Sequence, residues 1–392
     1  MGGLLAGLLL VSLNLRASIA AVSPVLPEIR ADLGLSASVA GLLTTLPVLC
    51  FAVLAPAAAW FGRRIGLERA ILIACLVIGL GTVWRILGGP ITLLAVTVLI
   101  GAAMTVGNVL GPVVIKRDFA SRAGPVTGAF TAFLIFGAAS AAALTAPVAA
   151  IWHWRVGLAM WALVSLAAAA VWYLATRRRQ RTAGQAARDR APVAGLWRSS
   201  IAWCLAVLMG AQAAAYYIMT AWLPTLLVDV VGVDLQAAGV GQAIFQVMGI
   251  AGTLLVSAVI RARPSQGWLA GAIAVGWAVL PIGLLAVPSA WPLWTFVGGI
   301  AQGAGIALAL TLIVLRARDS ATANGLSAMT QLVGYLIGAA GPFAAGLLYE
   351  VTGSWFAPAM VMLGLAVSMG FAGAVAGRPV VVGGRTESTD RT

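Results

Sequence analysis

The stretch that decides the fold runs from residue 264 to residue 315 and reads PSQGWLAGAIAVGWAVLPIGLLAVPSAWPLWTFVGGIAQGAGIALALTLIVL. None of its 52 residues is Asp, Glu, Lys or Arg. A helix that spans a membrane needs about 20 apolar residues, so this stretch is long enough for two. Pro288 and Pro292 mark the break between them, because proline lacks a backbone donor and ends a helix. The stretch therefore predicts a helical hairpin that crosses a membrane twice.

The composition of the whole chain agrees with this reading. Of the 392 residues, 61% are hydrophobic and 9% are charged, and the mean hydropathy is +1.02. A soluble domain carries roughly 25% charged residues, so this chain lacks the charge to cover a water-exposed surface. The composition excludes a soluble enzyme and predicts an integral membrane protein that partners a lipid bilayer. Cys50, Cys75 and Cys204 lie in apolar runs without neighbouring metal ligands, so no metal or cofactor is predicted.

Similar runs between charged residues predict an all-α integral membrane protein of twelve transmembrane helices. The predicted spans are 4–23, 37–61, 69–87, 91–115, 125–150, 156–176, 200–223, 237–260, 267–287, 292–315, 321–348 and 355–376.

The distribution of basic residues predicts the orientation of these spans. Twenty of the 24 Lys and Arg residues fall in one set of loops and tails, and three fall in the other set. Cytoplasmic loops carry the excess of Lys and Arg, so both termini are predicted to be cytoplasmic. Insertion and contact with anionic lipid account for the net charge of +13, so no nucleic-acid partner is predicted.

The predicted spans form two groups of six on either side of a basic linker. We expect an N-terminal six-helix bundle over 1–176, a cytoplasmic linker over 177–198, a C-terminal bundle over 199–377 and a cytoplasmic tail over 378–392. At an offset of 198 residues several features of the two halves coincide, among them Gly41 with Gly239 and Arg63 with Arg261. This agreement favours an internal duplication.

Arg16 is the most informative single residue. It stands past the middle of the first predicted span, where a charge costs at least about 2.5–3.5 kcal/mol and usually faces a cavity. All eleven Asp and Glu residues fall at span ends, in loops or in tails, so none is predicted to balance Arg16. A planar guanidinium suits a small anion or a planar polar solute. The alternative is an arginine that extends to the outer headgroups.

Other polar residues within the spans are candidates for the same site, although each alone also suits contacts between helices. Tyr216 and Tyr217 are adjacent, so we expect at most one of them to face the site. The full set of candidate substrate-binding residues is Arg16, Asn14, Thr45, Asn108, Tyr216, Tyr217, Gln242, Gln246 and Gln302.

Several phrases of the sequence carry a family resemblance. They are Asn14-Leu15-Arg16, Pro24-Val25-Leu26-Pro27-Glu28-Ile29, Ala40-Gly41-Leu42-Leu43-Thr44-Thr45-Leu46-Pro47, Gly62-Arg63-Arg64-Ile65-Gly66-Leu67-Glu68-Arg69, Gly107-Asn108-Val109-Leu110-Gly111-Pro112, Ile115-Lys116-Arg117-Asp118-Phe119 and Trp222-Leu223-Pro224. With the twelve spans, they resemble the major facilitator superfamily and, within it, the cyanate permease branch that includes 2-nitroimidazole transporters.

The resemblance implies a central cavity lined by spans 1, 4, 7 and 10 that opens alternately to each side of the membrane. It places Arg63, Arg64 and Arg69 at the cytoplasmic gate, in a loop that lacks the usual Asp of the superfamily signature. We expect a multi-pass monomer in the plasma membrane of a bacterium.

Two functional hypotheses follow. The first is a secondary or facilitative transporter of a small anion or planar polar solute, cyanate-like or nitroimidazole-like, by alternating access. The second is a drug/proton antiporter that exports small organic compounds, which requires a titratable group in the cavity. A membrane-bound enzyme is disfavoured, because His153 stands alone in a loop and no catalytic motif is present.

Overall fold

The computed structural model describes residues 2–177, 195–260, 265–318 and 320–382, and these residues are almost entirely helical. Most of the predicted linker and of the predicted tail lies outside the described residues. The helices are α1 (Gly2–Ala20), α2 (Leu26–Leu33), α3 (Ala37–Val53), α4 (Ala55–Ile65), α5 (Leu67–Trp84), α6 (Pro90–Asp118), α7 (Ala123–Ile151), α8 (Trp154–Thr176), α9 (Ser200–Leu226), α10 (Leu235–Val259), α11 (Gly267–Ala286), α12 (Trp291–Leu315), α13 (Ser320–Thr352) and α14 (Phe356–Ala376).

The twelve predicted spans are present in the described part of the chain. Eleven segments are long and apolar enough to cross a membrane, and the bent pair α3 and α4 supplies a twelfth. This architecture confirms the predicted all-α membrane fold. Both described chain ends, Gly2 and Val382, lie on the same side, which we call the basic side. The other side, which carries α2, is called the opposite side.

The prediction of one uninterrupted helix over 37–61 is wrong. The chain bends by 63° between α3 and α4. Pro56 lies in the first turn of α4, where its missing N–H leaves the carbonyl group of Ala52 without its helical donor. The two segments then pack differently: α3 lies against α13 and α6, whereas α4 lies against α6 and α5.

The first span also departs from its prediction beyond residue 20. The predicted span runs over 4–23, but α1 ends at Ala20, and a short 3-10 turn over Ser23–Val25 and then α2 follow. Both Pro24 and Pro27 lie in a first helical turn, where the missing proline N–H would have no intrahelical partner. Gly34 ends α2 with φ of 62°, a conformation that favours glycine.

The two groups of helices, α1–α8 and α9–α14, meet along two seams. One seam joins α3 to α13 and the other joins α7 to α10. Toward the opposite side both seams are closed by backbone contacts at glycine. A Cβ atom on Gly41 would lie 2.6 Å from the carbonyl oxygen of Pro342, and one on Gly239 would lie 2.7 Å from that of Ala142.

A polar contact adds to the first seam. The backbone N–H and the hydroxyl of Ser38 donate to one carboxylate oxygen of Glu350 at 3.0 and 2.8 Å. We call this section, closed by Gly41 and Gly239, the opposite-side seal. Gly41 and Gly239 are the glycines that coincide at the 198-residue offset, so the two seams close at corresponding positions.

Candidate functional site

A cavity lies between the two groups of helices and has two lobes. The central lobe has a volume of about 210 Å³ and is lined by residues of α1, α7, α9, α10, α12 and α13. The second lobe, of about 550 Å³, is lined by Phe51, Pro56, Asn108 and Gln331 among others, which lie toward the basic side. We call it the basic-side lobe. Arg16 and Tyr335 line both lobes, so they stand where the lobes adjoin.

Arg16 projects from α1 into this junction. Its Nη1 donates to the hydroxyl of Tyr217 at 3.0 Å, and its guanidinium carbon lies 5.5 Å from the ring centre of Tyr216 and 5.7 Å from that of Tyr217. Within the described residues no carboxylate forms an ion pair with Arg16. A guanidinium carries five N–H donors, and the described residues use one of those of Arg16 in the hydrogen bond to Tyr217.

Both tyrosines of α9 line the central lobe, so the prediction that at most one would face the site is wrong. Their ring centres are 5.0 Å apart and the ring planes meet at 69°. Consecutive residues on a helix point about 100° apart. The guanidinium of Arg16 lies in the angle between the two rings, so each ring contacts it from a different direction.

Two predicted glutamines join the central lobe. Gln246 is buried, accepts a hydrogen bond from the Tyr216 hydroxyl at 3.3 Å and donates to Thr220 at 3.5 Å. Gln302 also lines the lobe, and its backbone carbonyl accepts from Gln212 at 2.7 Å. The amide oxygen of Gln212 accepts from the indole N–H of Trp277 at 2.8 Å, so both the nitrogen and the oxygen of this amide are hydrogen-bonded.

Gln212 and Tyr335 also line the cavity, although neither is among the predicted site residues. A signal for Tyr335 existed, because it follows the polar Gln331 by four residues and therefore shares its helix face. The ring of Tyr335 stands edge-on to Phe51 with a centroid distance of 6.1 Å. Gln212 lies in an alanine-rich part of α9 with no polar neighbour that would indicate its direction.

Three predicted residues lie outside both lobes. Asn14 faces α8, where its side-chain oxygen accepts from the hydroxyl of Ser165 at 2.6 Å. Thr45 and Gln242 are buried in the opposite-side seal and line neither lobe.

The predicted gating residues lie on the basic side. Arg63, Arg64 and Arg69 are exposed, and in the described part of the chain none of them pairs with a carboxylate. Arg117 on this side forms ion pairs with Glu68 at 2.5 Å and with Asp118 at 2.8 Å. Arg117 thereby fastens the end of α6 to the start of α5.

Comparison with known proteins identifies the family. A model of the Major Facilitator Superfamily matches residues 8–342. The chain belongs to the major facilitator superfamily. The 2-nitroimidazole transporter of Escherichia coli (strain K12) is 35% identical to it over 376 residues, which cover 96% of this chain and 95% of the relative. The cyanate transport protein CynX of the same organism is 31% identical over 372 residues, covering 92% and 94%.

Solved structures agree on the fold of this superfamily member. The nucleoside transporter NupG superimposes with a TM-score of 0.79 at 13% identity, covering 95% of this chain and 99% of that one. These comparisons confirm the predicted family and fold. They also confirm that the protein is a transporter of a small solute rather than an enzyme.

Proposed function

We propose that this transporter carries a small anion or a planar polar solute, which the guanidinium of Arg16 binds in the central lobe. The observation that carries the proposal is the position of Arg16, between two tyrosine rings at the junction of the lobes and without a carboxylate partner in the described residues. A charge held inside a membrane protein is costly unless it is paired. An anion that enters the cavity would supply the missing partner.

The shape of the central lobe supports a small solute. Its volume of about 210 Å³ is below the roughly 300–1,000 Å³ of pockets that hold drug-sized ligands. The rings of Tyr216 and Tyr217 offer flat surfaces beside the cation, and Gln246 and Gln302 add amide groups. Together these groups suit a flat solute with oxygen or nitrogen acceptors, as cyanate and 2-nitroimidazole are.

The drug/proton antiporter receives less support. Among the residues that line the two lobes in the described part of the chain, none is Asp or Glu. Proton antiport of a cationic drug needs a group that releases a proton when the drug binds, and an arginine does not supply one, because it stays protonated.

We also propose how the transporter moves and where it acts. The basic side faces the cytoplasm of a bacterial cell, following the distribution of Lys and Arg. The described conformation is then inward-facing, because the cavity extends toward the basic side and the seal closes the other. The halves 1–176 and 199–377 rock about the central site, and Asn108 meets the solute in the basic-side lobe. One chain supplies the whole cavity, so the unit of transport is a monomer.

A ligand-stabilisation assay on purified protein tests the proposal. Cyanate, nitrate, benzoate, 2-nitroimidazole and the cation tetraphenylphosphonium are each added to the wild type, Arg16→Ala, Arg16→Lys and Arg378→Ala. Arg378 is exposed beyond α14, so its replacement removes a positive charge without changing the cavity. A ligand at a hundred times its Kd stabilises the folded protein by about 2.7 kcal/mol, which is readily seen as a rise in Tm.

We expect stabilisation by an anionic or planar compound in the wild type and in Arg378→Ala, and its loss in both Arg16 variants. The lysine variant keeps the charge but loses the planar set of donors. Stabilisation by the same compound in Arg16→Ala would contradict the proposal. Stabilisation by tetraphenylphosphonium alone would favour the drug antiporter.

A further inference from the structure

The opposite-side seal buries two polar side chains that have no hydrogen-bond partner among the described residues. Thr45 is 8% exposed and its hydroxyl oxygen has no partner, while Gln242 is 0% exposed and neither its amide nitrogen nor its amide oxygen has one. A polar group buried in this way costs the folded state free energy that hydration or a hydrogen bond would recover. The positions of Thr45 and Gln242 indicate in which conformation these groups gain water or a hydrogen-bond partner.

Thr45 lies on the face of α3 that turns toward the other half. Gly41, four residues earlier, contacts the backbone of Pro342 in α13. Val48, three residues later, packs in a buried cluster with Tyr217 and Ala339. Residues three and four apart share one helix face, so the Thr45 hydroxyl is held between these two contacts of the seam.

Gln242 has a similar position on the second seam. Gly239, three residues earlier, contacts the backbone carbonyl of Ala142 in α7. Gln246, four residues later, lines the central lobe. Gln242 therefore stands one helical turn from the binding cavity, in the section that separates this cavity from the opposite side.

The Thr45 hydroxyl differs from buried threonine hydroxyls of other membrane-spanning helices. The hydroxyl of Thr82, also fully buried, donates to the carbonyl of Ile78 at 2.7 Å, and that of Thr97 donates to Leu93 at 2.6 Å. The hydroxyl of a buried threonine can thus donate a hydrogen bond to a backbone carbonyl of its own helix. Thr45 and Gln242 do not, and both lie where the two halves must separate if the opposite side is to open.

We propose that Thr45 and Gln242 line the transport path in the conformation that opens to the opposite side, where they hydrogen-bond with water and with the passing solute. Their burial without partners in the present conformation favours that opening. The passing solute then meets two amide groups in succession along α10. Gln242 is exposed when the opposite side is open, and Gln246 is exposed in the present conformation. The inference uses the family's transport between two sides and does not depend on the role of Arg16.

Cysteine labelling tests the exposure of these positions. In a variant with Cys50, Cys75 and Cys204 replaced by serine, a single cysteine is introduced as Thr45→Cys, Gln242→Cys, Asn14→Cys or Ser354→Cys. Intact cells are treated with a membrane-impermeant methanethiosulfonate. Asn14 is the matched control, because it is equally buried and its amide nitrogen is unpartnered, but it faces α8 within one half. Ser354 is exposed in the turn between α13 and α14 and gives the maximal rate.

We expect Thr45→Cys and Gln242→Cys to be labelled about 10- to 1,000-fold more slowly than Ser354→Cys, as for a minor open state of about 0.1–10%. Asn14→Cys should not react above the cysteine-free protein. The inference would be overturned if neither Thr45→Cys nor Gln242→Cys were labelled in a period in which Ser354→Cys is fully labelled. Equal labelling of Asn14→Cys would also overturn it, because it would indicate general loosening.

A second arm tests the preference for opening. Adding Thr45→Val to the Gln242→Cys variant removes the unpartnered hydroxyl, so we expect about tenfold slower labelling and a higher Tm. Adding Thr82→Val instead removes a satisfied hydroxyl outside the seams and should leave the labelling rate unchanged while lowering Tm. An unchanged or faster rate with Thr45→Val, or a fall in its Tm, would refute the preference.

Discussion

Replacing Gly41 with alanine is expected to force open the opposite-side seal. The new methyl group would lie 2.6 Å from the carbonyl oxygen of Pro342 and 3.1 Å from the Cα of Phe343. Ordinary contact begins at 3.4 Å, so α3 and α13 must separate locally by about 0.8 Å. Both neighbours are backbone atoms, which cannot rotate away as a side chain would.

The cost of such overpacking is about 1–3 kcal/mol. It applies only while the seal is closed, so the ratio of open to closed protein should rise by about 5- to 150-fold. Gly239→Ala should act in the same way on the second seam, because its methyl group would lie 2.7 Å from the carbonyl oxygen of Ala142. The contacts share no residue, so the two effects should be additive.

Pulsed electron spin resonance between labels on Leu87 and Ser354 measures the effect. Both residues are exposed in loops of the opposite side, one in each group of helices. We expect the Gly41→Ala variant to populate longer distances. Gly364→Ala is the control, because a methyl group on Gly364 of α14 would meet nothing within 4 Å. An unchanged distance distribution in Gly41→Ala, with Tm also unchanged, would refute the reasoning.

Three further predictions concern the site and its surroundings. Tyr217→Phe removes the hydrogen bond that Arg16 donates to the Tyr217 hydroxyl, so the affinity for the stabilising compound should fall about tenfold in the thermal-shift titration. An unchanged affinity would show that only the ring matters. Ser165→Ala leaves the buried side-chain oxygen of Asn14 without its hydrogen-bond donor, so it should lower the unfolding free energy by about 1–3 kcal/mol without changing ligand affinity. A parallel loss of affinity would return Asn14 to the site. Glu68→Gln should change the unfolding free energy by less than about 1 kcal/mol, because its partner Arg117 is partly exposed and keeps the carboxylate of Asp118. Measuring Tm at low and at high salt checks this prediction.

The spacing of charged residues predicted the number and the ends of the spans, because both depend on the length of apolar chain between charges. Crossing a membrane requires a certain length of apolar chain, and charges are confined to its ends. The hairpin over 264–315 accordingly forms α11 and α12 with a break at residues 287–290. The bend before Pro56 was missed, because a proline in an apolar run does not show whether the helix ends, bends or continues.

The lining of the cavity was harder to predict because it depends on how each helix is rotated. Membrane helices are apolar on the faces toward lipid and on the faces toward one another, so hydropathy gives little information about direction. Arg16 was identifiable from its charge alone. Asn14, two residues away, points to α8 instead, and Gln242 and Gln246 share a helix face although only Gln246 reaches the cavity. Those distinctions arise from contacts between distant segments.

The bend at Leu54 also gives the two parts of one membrane span different contacts. The first part, α3, lies against α13 across the seam and against α6 within its own half, whereas α4 lies against α6 and α5 within that half. Pro56 donates no hydrogen bond at the joint between them, so fewer helical hydrogen bonds hold its angle than in a continuous helix. We therefore expect the angle between α3 and α4 to change more easily than the angle of a continuous helix when the glycine contacts of the seams part.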